Sequence, residues 1–170
     1  TSLEEKNNWW QLYNLEIIGP GMGDVDQYKP GDRHYLKIAE AKEVKVGWST
    51  AKQNRSITGG ELQIAGEKFS HGIGTHAHSE ITYDLSGKEF RRFYSMVGHN
   101  DGGQDTYLTF EVHVDREKVF DSGDMKKGQP AKVLDISVEG ADELKLVVTN
   151  GRDGKPEGDH ADWGHAFLVK

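Results

Sequence analysis

The sequence predicts an all-β chain, a jelly-roll β-sandwich, and three observations carry that expectation. Apolar and polar residues alternate with period two through most of the chain, the spacing of half-buried strands. Glycine accounts for 21 of the 170 residues, well above the background of about 7%, while proline accounts for only 4. Turn pairs recur between the alternating runs: Gly59-Gly60, Ala65-Gly66, Ser86-Gly87, Gly102-Gly103, Lys127-Gly128 and Glu139-Gly140. About eight to ten short strands joined this way close most simply as two packed antiparallel sheets.

Taken in chain order, residues 1–34 differ from the rest. With Trp9-Trp10 and the run Gly19-Pro20-Gly21-Met22-Gly23, they read as an irregular leader or an extra strand packed on a sandwich of residues 35–170. Tyr35 to Glu43 is the one stretch of helical character. Strands follow over Val44 to Trp48, Glu80 to Leu85 and Phe90 to Val97. In Thr106 to Val114 the alternation puts Leu108, Phe110, Val112 and Val114 on one face. Asp115-Arg116-Glu117 then turns the chain into Lys118-Val119-Phe120 as a hairpin. Val133 to Val138, Leu144 to Val148 and Ala166 to Val169 complete the series.

Size and composition exclude whole classes of function. A chain of 170 residues fits one domain and buries roughly 70% of its unfolded surface. The charge is 21 − 28 = −7, the pI is 5.6 and the mean hydropathy is −0.72. Lys and Arg are scattered, so no electrostatic footprint for nucleic acid is present. Apolar runs are a few residues long, far below the ~20 of a membrane span, so no membrane insertion is expected. Cysteine is absent, which removes disulfides, thiolate nucleophiles and Cys-ligated metals. The opening Thr1-Ser2-Leu3-Glu4-Glu5 reads as the start of a module cut from a longer protein, with any signal peptide removed or upstream.

Three polar clusters carry chemistry. On a strand, His76, His78 and Glu80 share a face, the arrangement of a divalent-metal triad in a cupin-like enzyme. The competing reading starts the strand near Glu80 and leaves both imidazoles in a loop. The loop His99-Asn100-Asp101-Gly102-Gly103-Gln104-Asp105 reads either as a self-capped turn or as planar donors and acceptors for the hydroxyls of a sugar. Asn150 to Trp163 is rich in oxygen ligands suited to Ca²⁺, with Asp153, Asp159 and Asp162 as ligand candidates. Its spacing is not that of an EF-hand, and a plain acidic turn is the other reading. No Gly-x-Ser-x-Gly elbow, P-loop or dinucleotide fingerprint occurs, and no nucleophile stands out, so a catalytic role is not expected.

An ordered series of segments resembles a known family. It runs through Gly47-Trp48-Ser49-Thr50, His71-Gly72-Ile73-Gly74-Thr75-His76-Ala77-His78-Ser79 and Ile81-Thr82-Tyr83-Asp84-Leu85-Ser86-Gly87. Val97-Gly98, Phe110-Glu111-Val112-His113-Val114-Asp115 and Lys118-Val119-Phe120-Asp121-Ser122-Gly123 follow, then Gly140 to Leu146 and Asp159-His160-Ala161-Asp162-Trp163. Over about Tyr35 to Lys170 this resembles the NPCBM domain, carbohydrate-binding module family 51. The resemblance implies a galactose-binding-domain-like sandwich without catalytic activity, often with a structural calcium. It also implies covalent linkage to a secreted, extracellular bacterial glycoside hydrolase, and binding of terminal galactose or blood-group A/B glycans on mucins and cell surfaces. The chain departs from that pattern at His99-Asn100-Asp101 and at His78.

A pyranose offers one apolar C–H face and a rim of hydroxyls, which aromatic faces and planar polar groups match. The binding candidates lie in three places: Trp48 with Gln53, Asn54 and Arg55; His76 with His78; and His99, Asn100, Asp101, Gln104 and Asp105. Two other readings stand beside the module: the cupin-like metal enzyme built on His76, His78 and Glu80, and a ligand-free packing domain with an apolar patch around Trp9 and Trp10.

Overall fold

The run Tyr107–Val114 shows how pattern becomes structure. Leu108, Phe110 and Val112 are fully buried while Thr109 and Glu111 between them are half-exposed, so one face is sealed and the other wet. The computed structural model describes residues 15–18 and 25–170. Its strands are β1 (Leu15–Ile18), β2 (His34–Tyr35), β3 (Glu43–Val46), β4 (Lys52–Gln53), β5 (Leu62–Ile64), β6 (Glu67–Phe69), β7 (Gly72–His76) and β8 (Ser79–Asp84). They continue as β9 (Arg92–His99), β10 (Tyr107–Val114), β11 (Glu117–Asp121), β12 (Met125–Lys126), β13 (Lys132–Ser137), β14 (Glu143–Thr149) and β15 (His160–Val169).

Two antiparallel sheets result. A seven-stranded sheet runs β1-β13-β9-β15-β7-β4, with β2 also on β15, and a six-stranded sheet runs β11-β10-β14-β8-β3, with β12 on β10. The β10–β11 hairpin turns through Asp115 and Arg116, both at positive φ (50° and 69°), the twist that suits a two-residue hairpin loop. Between the sheets lies one core, with Ile73, Phe93, Val97, Leu134 and Trp163 facing Ile81, Tyr83, Leu108, Phe110 and Leu146. Trp163 meets Phe110 edge to face at 5.1 Å.

The outer face of the seven-stranded sheet is covered in two places. Tyr28 and Tyr35 pack on Tyr94 and Phe167, and the Tyr28 hydroxyl donates to Asp135 at 2.6 Å. The β5–β6 hairpin lays Leu62, Ile64 and Phe69 over another part of that face. Asp162 pins this cover, because its Oδ2 accepts from the Gln63 backbone N–H at 2.9 Å and from Asn100 Nδ2 at 2.7 Å.

Several elements differ from the sequence reading. Tyr35 to Glu43 is not helical; it contains β2 and a single 3-10 turn at Ile38–Glu40, and the described residues hold no α-helix. β15 starts at His160 rather than Ala166, and β9 runs on to His99. Polar residues obscured both: on β15 the outer face carries Asp162 beneath the β5–β6 cover and His160 beyond it, and on β9 the strand ends in Gly98-His99. Within residues 1–34, β1 pairs with β13 at the edge of the sheet, while Trp9, Trp10 and Gly19–Gly23 lie outside the described residues.

Candidate functional site

At one end of the seven-stranded sheet, β7 and β15 bring two imidazoles together. His76 is the direct partner of His160 across the ladder, so both side chains leave the same face, and their ring centroids are 5.5 Å apart. His76 Nδ1 lies 2.7 Å from the Ala77 carbonyl oxygen. A carbonyl only accepts, so Nδ1 carries the proton and a neutral ring keeps Nε2 as an acceptor. Burial holds the His160 imidazole below its ordinary pKa, helped by His76, His99 and Lys127, and its buried Nδ1 has no hydrogen-bond partner among the described residues.

Trp48 sits over this pair from the connection between β3 and β4. Gly47 makes the approach possible: a Cβ there would stand 2.6 Å from the Ala77 carbonyl oxygen and 2.8 Å from the His78 nitrogen. The indole is parallel to the His160 ring (5°, centroids 6.1 Å) and 5.3 Å from His76, and it remains 53% exposed. A large aromatic ring held half in solvent above planar polar groups suits a ligand with one apolar face and a hydroxyl rim. The loop after β9 closes the far side of the pair: the Gln104 N–H donates to the Gly158 carbonyl at 3.1 Å, and the exposed Gln104 side chain lies over Gly158.

The sequence candidates divide accordingly. Trp48, His76 and Gln104 converge on this edge. His78 is exposed beside it, 3.4 Å from Glu80, and Asp105 is exposed near Lys126 at 3.7 Å. His99 is fully buried, with Nδ1 3.0 Å from the Asn100 carbonyl oxygen and Nε2 3.1 Å from Thr106 Oγ1. Asn100 is engaged within the fold, donating to the Glu61 carbonyl and Asp162 and accepting from the Gly102 N–H. Asp101 accepts from the Ala65 and Gly66 N–H groups, capping the β5–β6 turn. Gln53 and Asn54 tie β4 to its surroundings through Ile38, Leu36 and Gly72. Gln53 is opposite Ile73, about 10 Å along β7 from His76. Arg55 borders a separate groove of 370 Å³ with Glu61, Lys68 and Phe69. A further groove of 430 Å³, between His34, Asp84, Phe90 and Lys170, belongs to the opposite end of the sandwich. His160 and Lys127 were missed by sequence reasoning; the signal for His160 was the period-two run His160-Ala161-Asp162-Trp163, passed over as an oxygen-rich loop.

The metal candidates do not form one cluster. The cupin-like triad is excluded by topology: the chain leaves the seven-stranded sheet after His76 and enters the six-stranded one at Ser79. His76 and Glu80 are therefore not on one strand and share no face. Among the described residues no three His, Asp or Glu side chains are grouped to hold a metal. Asp162, proposed as a calcium ligand from sequence, is instead the buried acceptor for Asn100 and Gln63, and burial pushes its pKa up to about 8. Asp153 and Asp159 lie in one loop, where Asp159 accepts from the Thr106 hydroxyl and Asp153 from the Tyr107 and Lys155 N–H groups. Burial, with the charges of Asp153 and Glu157, raises Asp159 to about 6.

Comparison with known proteins places this geometry. The NPCBM/NEW2 domain matches residues 32–169. Alpha-1,3-galactosidase B of Akkermansia muciniphila is 33% identical over 112 residues, which is 65% of this chain and 14% of that protein; this chain thus spans a small part of that relative. CBM51 from Clostridium perfringens GH95, solved in complex with methyl-galactose, matches with a TM-score of 0.75 at 36% identity, over 81% of this chain and 99% of that one. The M60 catalytic domain with CBM51-1 and CBM51-2 from C. perfringens ZmpB matches with a TM-score of 0.75 at 34% identity, over 81% of this chain and 15% of that one.

Proposed function

This chain belongs to the NPCBM/NEW2 family and is a non-catalytic carbohydrate-binding module, and from that premise we propose that it binds terminal galactose, including galactose within blood-group A/B glycans, at the Trp48–His76–His160 edge. One observation carries the proposal: the half-exposed indole of Trp48 lying parallel to His160 and beside His76. The indole receives the C–H face of the pyranose. The His76 ring, whose Nδ1 is taken by the Ala77 carbonyl so that Nε2 faces outward, and the Gln104 amide face the hydroxyl rim. Galactose differs from glucose in an axial O4, and a fixed acceptor left unpaired by the wrong epimer makes that difference costly. The methyl-galactose complex of the C. perfringens GH95 module supports the same class of ligand.

In this reading the module belongs to a secreted glycoside hydrolase acting on mucin or cell-surface glycans. Weak monosaccharide binding is turned into local concentration of the enzyme at its substrate. A structural calcium also belongs to the proposal, at the loop carrying Asp153 and Asp159 with backbone carbonyls supplying further oxygens. The buried and unpartnered Asn150 Oδ1 and Asp159 Oδ2 are oxygens that a hard cation would satisfy, and such an ion would fix the loop behind His160.

The test is a glycan array with and without a chelator, backed by calorimetry with methyl galactoside and methyl glucoside. Signals confined to terminal-galactose and A/B structures, with methyl glucoside silent, are the expected result. A lower melting temperature in chelator would support the calcium. A blank array at high protein concentration overturns the galactose reading, and binding of glucose and galactose alike overturns the role given to O4.

A further inference from the structure

A lysine without a carboxylate partner among the described residues stands near the platform, in a chain that carries −7 overall. Lys127 lies in the turn after β12 and donates through Nζ to the Gly103 carbonyl oxygen at 2.9 Å. Gly103 in turn rests on the imidazoles: a Cβ there would stand 2.5 Å from His99 Cε1 and 3.1 Å from His160 Cβ. Only a residue without a side chain brings the loop, and the ammonium fastened to it, this close. Lys127 thus holds the backbone that rests on His160 Cβ, while Trp48 lies along the His160 ring. The electrostatic reach is visible in both imidazoles, since Lys127 adds to the burial that lowers His99 and His160.

The neighbouring carboxylates have other partners. Asp105 lies near Lys126, Asp101 accepts from Ala65 and Gly66, Glu80 meets His78 and Lys145, and Asp159 accepts from Thr106 through Oδ1, its Oδ2 being buried with no partner among the described residues. Among the described residues no carboxylate pairs with Lys127. An ammonium has three N–H donors, and Gly103 takes one. Two donors on a full positive charge are left beside a sugar platform.

We propose that Lys127 forms an anion subsite next to the Trp48 platform, so that the module takes galactosides carrying a sulfate ester or a carboxylate in preference to neutral ones. The inference rests on the reading of the Trp48 edge as the galactose site. It adds a charge-assisted contact at the rim of the sugar, in a site open enough to water that the gain stays modest.

Calorimetry with methyl galactoside, its 3-sulfate and 6-sulfate, and a 3-sialyl galactoside tests it, on the wild type, Lys127→Gln and Lys127→Arg, each checked by thermal melting. The wild type is expected to bind at least one charged galactoside about fivefold more tightly than the neutral one, and the advantage should shrink in ~1 M salt. Lys127→Gln should erase that advantage while leaving methyl galactoside within about twofold, and Lys127→Arg should keep it. A gain for the sulfates names a sulfate ester as the ligand group; a gain for the sialyl compound names a carboxylate. Tight methyl galactoside binding with no gain for any charged compound overturns the anion subsite alone. So does Lys127→Gln weakening neutral and charged ligands equally, which is the signature of a loop staple. Failure of every galactoside to bind removes the platform and the subsite together.

Discussion

His160 and Asp162 stand two residues apart on β15, on one face of one sheet and about 7 Å from each other along the strand, yet their surroundings are opposite. Around Asp162 a network forms beneath the β5–β6 cover: Oδ2 accepts from the Gln63 N–H and from Asn100, whose amide also meets Glu61 and Gly102, while Oδ1 is buried with no partner among the described residues, and Asp162 is fully buried. Around His160 there is no such cover. Trp48 shields the ring on one side and stays half in solvent, and the Nε2 of His76 has no partner among the described residues. The contrast teaches that residue type does not decide whether a polar cluster serves the fold or a ligand. A covering segment does, because it turns free donors and acceptors into internal bonds.

The strongest way to break the contrast is at the closed end. Asp162→Ala strands the Gln63 N–H and the Asn100 amide in a dry interior, and each unsatisfied group costs roughly 1–3 kcal/mol. A loss of about 3 kcal/mol in urea unfolding is expected, while Asp162→Asn, which keeps an acceptor, should cost far less. The pH dependence sharpens the same test. Burial raises the folded pKa of Asp162 to about 8, above the ordinary carboxyl value of about 3.9 in the unfolded chain. Between those values the folded state holds the proton that the unfolded state has released, so this group's contribution to stability falls as pH rises and levels off above about 8. The stability of the wild type relative to Asp162→Asn should therefore be larger at pH 5 than at pH 7.5. An unchanged difference would show that Asp162 is ionised in the folded protein.

The same contrast explains what was readable in the sequence. β10 announces itself because one face is apolar and the other wet, which is what alternation encodes, and β13 and β14 carry the same alternation in sequence although β13 is buried on both faces. The first half of β15 alternates too, with Ala161 and Trp163 facing the core, but His160 and Asp162 continue a stretch of Asp, Gly and Glu that reads as an oxygen-rich loop. β7 is hidden for a related reason: Gly72 and Gly74 leave little hydrophobic pattern in a strand that is buried throughout. Trp48, His76 and Gln104 were legible as candidates by residue type alone. His160 was not, because its importance comes from being opposite His76 across a ladder, a long-range register that no local window contains. Gln53 and Asn54 show the reverse: close to Trp48 in sequence, they spend their amides on Ile38, Leu36 and Gly72, while Arg55 borders a separate groove.

At the open end the expected effect is on binding rather than folding. Trp48→Ala removes an exposed ring that supports no part of the core, so stability should stay within about 0.5 kcal/mol. Affinity for methyl galactoside should fall by at least about tenfold, the usual consequence of deleting a central aromatic anchor. Trp163 provides the counterpart: fully buried against Phe110, its replacement by Ala should cost about 3–5 kcal/mol. A Trp48→Ala variant that unfolds easily but still binds sugar would reverse the assignment of the two ends.

The smallest expected effect is the most discriminating for where the site stops. Arg55 follows β4 and borders the 370 Å³ groove with Glu61, Lys68 and Phe69, and its side chain is exposed. Gln53 and Asn54 are opposite the early part of β7, because Gln53 pairs with Ile73 and the Asn54 N–H donates to the Gly72 carbonyl. Beyond β4 the chain folds back over β7, where a Cβ on Gly74 would collide with the Arg55 carbonyl oxygen, about 7 Å of strand from His76, so it is the placement of the Arg55 side chain in the groove that sets it apart from the platform. Arg55→Ala should leave methyl galactoside affinity and stability unchanged within measurement, while a longer glycan that weakens on the same substitution would show that the chain of sugars runs from Trp48 along β4 into that groove. A loss of monosaccharide affinity itself would mean that the guanidinium reaches the platform, and the site would then extend across both regions rather than end at the strand edge.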